Sequence, residues 1–323
     1  MFYQMMILSW ALLSSILMGI SSSYWFPMWM SLEINMMMFI PMMNSKNFLS
    51  SNSMMNYYII QSFSSSLFLL SSLLLSILPN NMLIFMILIS MMIKLGVAPF
   101  HSWFTQISEG LNFFPFFTLL TFQKIIPLFI ISIYNHIFMI PFIVLSSVMG
   151  SLSGLNYTSM KKILAFSSVS HLSWMMSLII TNQDFWILYL LIYTLILMKI
   201  SLSFSNNLIL TINNLNSKKE TLLNKISMIS LFLSLGGLPP FLGFLMKWIS
   251  VILIMKNLPM ILFILIPSSL INLFFYTRAV YPSLMKLNIF MKPFQIFNNL
   301  KLNWSFLLNF LVIVILAPTI LIV

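Results

Sequence analysis

Residues 82–101 read MLIFMILISMMIKLGVAPFH, and this stretch decides the fold class. Its first twelve residues carry no charge, and Lys94, Gly96 and Pro99 follow within the next six. An apolar run of about 20 residues is long enough to cross a bilayer as a helix, whereas glycine and proline weaken or end a helix. The stretch therefore predicts a membrane helix that is broken beside a buried lysine.

The composition of the whole chain also indicates a membrane protein. Hydrophobic residues make up 60% of the 323 residues, charged residues make up 6%, and the mean hydropathy is +1.04. Soluble domains carry about 25% charged residues, because a surface in water needs them. We therefore expect an all-α polytopic membrane protein that forms a single transmembrane domain over residues 1–323, without a soluble domain.

The charge balance and the supply of metal ligands exclude several classes of function. Fifteen Lys and Arg against four Asp and Glu give a net charge of +11, but the basic residues form no contiguous patch with aromatic residues, so nucleic acid is not an expected partner. The absence of cysteine excludes disulfides, iron–sulfur ligation and thiol catalysis, and three scattered histidines argue against a zinc or haem site. No metal or cofactor is expected to bind to this chain.

Polar, proline or asparagine-marked breaks divide the sequence into eleven candidate membrane spans. They lie near residues 2–20, 24–43, 56–78, 82–104, 111–134, 138–155, 162–180, 185–205, 226–255, 258–281 and 302–323. The first of them lacks a basic segment before its apolar run, so it is interpreted as a span and not as a cleaved signal.

Lysines are distributed unequally between the two sides of this topology. Nine lie on the amino-terminal side: Lys46, Lys161, Lys162, Lys218, Lys219, Lys225, Lys286, Lys292 and Lys301. The opposite side has Lys256 alone, together with Asp184. By the positive-inside rule, the amino terminus faces the cytoplasm, or the matrix in a mitochondrial protein, and the carboxy terminus faces the other side.

Five ionisable residues fall near the middle of predicted spans. They are Glu33, Lys94, Lys124, His171 and Lys247. Such a group costs at least ~2.5–3.5 kcal/mol at that depth, so it is expected to face a partner or water and to serve an ion path. Burial favours the neutral form of a lysine and a nearby carboxylate favours the charged form, which is the chemistry that a proton relay needs. The alternative for these five groups is a set of structural ion pairs or snorkelling lysines. Four other charges are interpreted as interfacial or loop charges: Lys199, Lys256, Glu109 and Arg278.

A second Gly-Pro interruption suggests an internal repeat. The motif Gly-x-x-Pro-Phe occurs at Gly96 to Phe100 and again at Gly237 to Phe241, where Pro239 and Pro240 are adjacent. The two spans run in opposite directions, which is typical of inverted repeats with a site at the membrane midplane. We expect a first repeat over about residues 1–134, a second over about 138–281, and an extra carboxy-terminal helix near 302–323. A pair of unrelated proline kinks is the alternative.

Several of these segments together resemble a known family. The residues concerned are Leu32-Glu33-Ile34-Asn35, Lys94 to His101, Phe122-Gln123-Lys124, Ala165 to Trp174, and Leu235 to Phe244 with Lys247-Trp248. In this order and spacing they resemble the NADH-ubiquinone oxidoreductase chain 2 family, the antiporter-like membrane subunits of respiratory complex I. The resemblance covers nearly the whole chain, and together with the Met- and Phe-rich composition it suggests the animal mitochondrial form, in particular that of an arthropod.

The resemblance implies a role for each matching position. Glu33 is implied to be the carboxylate paired with Lys94, Lys124 the connecting lysine, His171 a central relay histidine, and Lys247 the lysine beside the second broken helix. Two positions depart from the family pattern. Thr105 and Gln106 stand where Pro-Glu is usual, and Met246 stands where a proline usually precedes the lysine.

The resemblance also implies a location and partners. The chain is expected in the mitochondrial inner membrane, with its amino terminus in the matrix, among other membrane-arm and accessory subunits of complex I and membrane lipids. NADH, FMN, iron–sulfur clusters and ubiquinone are expected in partner subunits, and this chain is expected to translocate protons. A stand-alone cation/proton antiporter and a scaffold subunit with structural charges are the two competing hypotheses.

Overall fold

The computed structural model describes residues 2–45, 47–181, 184–207, 210–211, 222–239 and 241–290. These residues are helical apart from short connections, and a single isolated bridge between Ser159 and Thr211 is the one β contact among them. The expectation of an all-α protein is confirmed for this part of the chain. The predicted span near 302–323 lies outside the described residues, as do Lys46, Lys218, Lys219, Lys292 and Lys301.

Thirteen α-helices follow one another along the described residues. They are α1 (Phe2–Ser21), α2 (Trp25–Met43), α3 (Phe48–Ile77), α4 (Asn81–Leu95), α5 (Ser102–Gly110), α6 (Phe113–Leu120), α7 (Ile125–Ile133), α8 (Ile140–Gly154), α9 (Met160–Ile180), α10 (Phe185–Asn207), α11 (Leu222–Gly236), α12 (Leu242–Asn257) and α13 (Pro259–Phe290). Two short 3₁₀ helices, Phe122–Lys124 and Ile137–Met139, precede α7 and α8.

Seven helical segments in the described part of the chain are long and apolar enough to cross a membrane. They are Tyr3–Ser21, Phe48–Ile77, Phe113–Ile133, Ile137–Gly154, Met160–Ile180, Phe185–Asn206 and Pro259–Met285. The chain is therefore a multi-span membrane protein.

The predicted boundaries differ from the helix ends most clearly at α3. This helix begins at Phe48, eight residues before the predicted start at residue 56. The intervening Ser and Asn residues were expected to form a loop. Instead the Ser53 hydroxyl donates to the Ser50 carbonyl at 2.7 Å, and Ser51 and Ser50 make similar bonds three residues back. A serine that bonds to its own helix is compatible with helical structure, so the polar run extends α3.

Helix α9 is the centre of the molecule. Every residue from Ile163 to Ile179 is buried, and α9 contacts α5, α7, α8, α10, α12 and α13. Its closest approach is to α8, where a Cβ atom on Gly150 would lie 2.8 Å from the Ser170 amide nitrogen and 2.9 Å from the Phe166 carbonyl oxygen. Small residues bring membrane helices together in this way, because no side chain separates the backbones.

Substitution of Gly150 tests this packing. A Gly150→Val change places a side chain against backbone atoms of α9, which cannot rotate away, and overpacking of this kind costs about 1–3 kcal/mol. We expect a lower thermal unfolding midpoint in native membranes and less accumulated protein. The control is Gly236→Ala, where the nearest atoms to the new Cβ lie at 3.5 Å or more. Equal stability of the two variants would contradict close α8–α9 packing.

Candidate functional site

The first interruption follows α4. Gly96 has a left-handed backbone (φ 67°); its N–H donates to the Ile93 carbonyl at 3.1 Å, and the Val97 N–H donates to the Met92 carbonyl at 3.1 Å. This pair of bonds is a Schellman motif, which ends a helix and favours glycine at the left-handed position. Pro99 lies in the non-helical segment 96–101 that separates α4 from α5.

The second interruption, after α11, has the same hydrogen-bond pattern. Gly237 has φ 80°; its N–H donates to the Ser234 carbonyl at 3.1 Å, and the Leu238 N–H donates to the Leu233 carbonyl at 3.2 Å. The residues that match between the two motifs in sequence, Gly96 with Gly237, therefore also match in backbone conformation. Pro239 lies within this segment and Pro240 is outside the described residues.

Lys94 lies one residue before the end of α4, and Gln61 of α3 is its direct partner. Lys94 is 7% exposed, and its Nζ donates to the Gln61 carbonyl at 3.4 Å. The Gln61 Nε2 donates in return to the Lys94 carbonyl at 3.3 Å, which the helix end leaves without an intrahelical donor. Glu33, partly buried on α2, acts electrostatically on Lys94 but forms no direct ion pair with it.

Lys94 precedes its helix interruption, whereas Lys247 follows the second one and belongs to α12. Lys247 is 8% exposed, and its Nζ donates to the Gly236 carbonyl at 2.8 Å. A cation at the carboxyl end of α11 is favoured by the partial negative charge of the terminal carbonyls. Gly237 makes the approach possible, since a Cβ there would lie 2.8 Å from Lys247 Cδ.

Lys124 sits at an irregular point of the predicted span 111–134. The α-helix stops at Leu120, a 3₁₀ turn covers Phe122–Lys124, and α7 begins at Ile125. Lys124 is 2% exposed, and its Nζ donates to the Ser168 carbonyl of α9 at 3.4 Å. The same nitrogen lies 5.6 Å from the ring centroid of Phe104 and 5.4 Å from that of Tyr193, distances at which an aromatic face attracts a cation.

His171 is 1% exposed in the middle of α9. Its Nδ1 shares a hydrogen bond of 2.8 Å with the Tyr189 hydroxyl, and its ring lies 5.0 Å from that of Tyr193. Lys124 and Lys247 both act electrostatically on this imidazole. The structure thus brings three of the five predicted groups, Lys124, His171 and Lys247, into one buried region, while Glu33 and Lys94 form a second pair around α2 and α4.

A chain of polar side chains that the sequence reasoning missed lies in the first half. The Gln123 Nε2 donates to Asn35 Oδ1 at 2.7 Å, and the Tyr57 hydroxyl donates to Gln123 Oε1 at 3.2 Å. Asn35 and Tyr57 are buried, so the three side chains satisfy one another beside Lys124. The sequence signal that could have found them is an amide side chain inside a predicted span, which also marks Gln61.

Two charges interpreted as interfacial make specific contacts at helix ends. Glu109, 45% exposed, forms an ion pair of 2.8 Å with Lys162, and Lys161 donates to the carbonyls of Glu109 and Leu111. Arg278 of α13 donates to carbonyls of the connection between α8 and α9, at 2.6 Å and 2.9 Å. These residues hold helix ends together on the side of the molecule where α5 ends and α9 begins.

Comparison with known proteins identifies relatives over almost the full length. The family model described as NADH:quinone oxidoreductase/Mrp antiporter, TM, matches residues 22–272. NADH-ubiquinone oxidoreductase chain 2 of the tick Rhipicephalus sanguineus is 43% identical over 95% of this chain and 97% of its own length. The protein of the same name from the mosquito Anopheles gambiae is 42% identical over 91% of each chain.

Solved structures share the fold at low sequence identity. A chain of respiratory complex I from Thermus thermophilus superposes with a TM-score of 0.80 at 18% identity, over 86% of this chain and 70% of its own. A chain of the Mrp complex from Dietzia superposes with a TM-score of 0.76 at 16% identity, over 85% of this chain and 59% of its own. From the family model and the two arthropod relatives, the chain belongs to the NADH-ubiquinone oxidoreductase chain 2 family.

Proposed function

We propose that this chain is a proton-translocating membrane-arm subunit of mitochondrial NADH:ubiquinone oxidoreductase, respiratory complex I. The observation that supports the proposal best is the burial of Lys94, Lys124, His171 and Lys247 inside a membrane-spanning member of this family, with Lys124 and Lys247 both acting electrostatically on His171. We infer that they form, with Glu33, one proton relay that responds to quinone reduction in other subunits.

The physical basis of the relay is the sensitivity of a buried lysine to neighbouring charge. A proton that arrives at one site disfavours the charged form of the next, and a proton that leaves has the opposite effect. Moving one charge against 100 mV requires ~2.3 kcal/mol, which corresponds to a change of roughly two pKa units at 1.36 kcal/mol each. Electrostatic coupling of this size between adjacent sites is sufficient to drive a proton across the membrane.

We also infer the architecture that the sequence predicted. The pairs α4–α5 and α11–α12 are two broken membrane helices of two inverted repeats, about 1–134 and 138–281, in a chain that crosses the membrane eleven times. The equal Schellman motifs at Gly96 and Gly237 support this arrangement, because repeats are expected to end matching helices with matching backbone geometry. The carboxy-terminal helix near 302–323 completes the count.

We also infer where the chain is located, which subunits hold the cofactors, and what the chain contacts. The nine-to-one lysine distribution supports an amino terminus in the matrix and a carboxy terminus in the intermembrane space, by the positive-inside rule. NADH, FMN, the iron–sulfur clusters and ubiquinone are assigned to partner subunits, and this chain contacts other membrane-arm and accessory subunits and lipid.

A stand-alone cation/proton antiporter is the competing function, and the supply of ligands disfavours it. A sodium site at mid-depth needs several oxygen ligands. The sequence has four acidic residues, and Glu33 alone falls near the middle of a predicted span. The buried groups are mainly cations when protonated, which suits the transfer of protons better than the binding of metal ions.

Substitution of the two break-associated lysines tests the proposed function. Lys94→Met and Lys247→Met each keep an unbranched side chain but remove the proton carrier, and loss of a positioned proton-transfer group costs about 10²–10⁴-fold at the chemical step. We expect assembled complexes whose ratio of protons pumped to electrons transferred, or whose turnover, is reduced about tenfold or more. Lys256→Met, at the exposed end of α12, is the matched control and should pump normally. Normal pumping and turnover in both midplane variants would contradict the proposal.

Lys124→Met separates proton transfer from a scaffold role. The relay requires a protonatable nitrogen between the two halves, so we expect the complex to assemble and to pump few protons per electron. If Lys124 were structural, the variant would reduce the amount of complex and leave pumping per assembled complex unchanged. The measurement is proton uptake in reconstituted liposomes, normalised to the complex quantified by native electrophoresis.

A further inference from the structure

Buried polar atoms without a hydrogen-bond partner are concentrated between α9, α10 and α13. Nine such side-chain atoms occur among the described residues, and four of them are His171 Nε2, the Tyr193 hydroxyl, Asn272 Oδ1 and the Tyr276 hydroxyl. The four residues are between 0% and 2% exposed. We call these four residues the tyrosine–amide cluster.

The geometry of the helices places these atoms together. Asn272 and Tyr276 are four residues apart on α13, so they share one face, as do Ser167 and His171 on α9. The Asn272 Nδ2 donates to the Ser170 hydroxyl at 2.7 Å, which fixes the two faces opposite each other.

The two tyrosines complete the cluster. The Tyr276 hydroxyl neighbours Ser167 without forming a hydrogen bond of normal geometry. The Tyr193 hydroxyl likewise neighbours Ser168 without forming a hydrogen bond of normal geometry. The Tyr193 ring lies 5.0 Å from the ring of His171, and Tyr193 and Tyr276 interact electrostatically. The four residues that carry these polar atoms therefore lie where α9, α10 and α13 pack together.

The tyrosine–amide cluster lies between the two lysines of the second half. Lys124 Nζ is 5.4 Å from the Tyr193 ring centroid, on one side of the cluster. Lys247 acts electrostatically on His171 and is anchored at the Gly236 carbonyl of α11, a helix that contacts α13. Both lysines act electrostatically on His171, a member of the cluster, so the cluster is a candidate route for a proton between them.

Buried polar groups in native proteins are almost always satisfied by protein or by ordered water. A buried water makes about three hydrogen bonds and needs several polar partners in one place. Two hydroxyl groups, one amide oxygen and one imidazole nitrogen are a suitable set, because they include donors and acceptors.

We propose that the tyrosine–amide cluster binds internal water, and that the hydroxyls of Tyr193 and Tyr276 pass protons through this water between Lys124 and Lys247. The inference rests on the proposed function and adds residues of α10 and α13 to the relay. Each hydroxyl gives its proton to an acceptor as it takes one from a donor, so the phenols stay neutral. The Lys124 ammonium loses one proton and the Lys247 amine gains one. Asn272 is a positioning residue that orients the water through its Oδ1.

The first test removes the two hydroxyls and keeps the rings. A Tyr193→Phe, Tyr276→Phe double variant of the intact complex, reconstituted in liposomes, is expected to lose at least threefold in protons pumped per electron or in coupled turnover. Tyr134→Phe is the control. This tyrosine follows α7 and stacks on Trp25, 4.9 Å between centroids, outside the cluster.

A second pair of variants separates water binding from packing. Asn272→Leu keeps the number and branching of the side-chain heavy atoms of asparagine and presents only carbon, whereas Asn272→Ser leaves a hydroxyl and room for one more water. Both lose the bond to Ser170. We expect pumping to be lost with leucine and largely retained with serine. Equal pumping in the two variants would overturn the role of Asn272, since packing alone favours leucine.

The outcomes distinguish this inference from the proposed function. If the tyrosine double variant and Asn272→Leu pump normally while Lys124→Met does not, the cluster is not part of the relay and the proposed function stands. If Lys124→Met also pumps normally, the proposed function fails with it. If the double variant does not assemble, a density map of the unmodified complex tests whether the cluster binds water. Water within hydrogen-bond distance of His171 Nε2 and the Tyr276 hydroxyl is expected, and a dry contact there would overturn the inference.

Discussion

Backbone carbonyls that lose their intrahelical donors must find other donors when the helix end is buried in a membrane protein. At both helix interruptions in this chain, after α4 and after α11, a Schellman motif supplies the first of these donors, at Gly96 and at Gly237. The carbonyls that remain recruit side chains. The Gln61 amide donates to the Lys94 carbonyl, and the Lys247 ammonium donates to the Gly236 carbonyl. The Trp103 indole adds a second donor to the Ile93 carbonyl at 3.1 Å. The position of the Lys247 ammonium follows from this requirement.

The two break lysines are consequently not equivalent. Lys247 donates directly to a terminal carbonyl of α11, so its proton contributes to the stability of the helix end. Lys94 instead reaches across to the Gln61 carbonyl of a neighbouring helix, and its proton is balanced from farther away by Glu33. The two lysines therefore hold a proton by different contacts.

The sequence predicted the all-helical fold class, and it marked Lys94, Lys124, His171 and Lys247, which the structure buries. A charge in an apolar run is a strong local signal. The sequence predicted the start of α3 poorly, since serines that bond within their own helix look like loop residues. It also gave no indication that Gln61 is the direct partner of Lys94, or that Tyr193 faces His171. Those contacts join segments far apart in the chain, and α9 brings them together only after α8, α10 and α13 pack around it.

The central claim is that these buried cations serve a machine driven by redox chemistry in other subunits. Native electrophoresis of the inner membrane in mild detergent, with in-gel NADH oxidation and mass spectrometry for this chain, tests it most directly. The account predicts that the chain migrates with a large NADH-oxidising complex and is absent from smaller species. Recovery of the chain as a small, separate species that exchanges cations for protons in liposomes would contradict it.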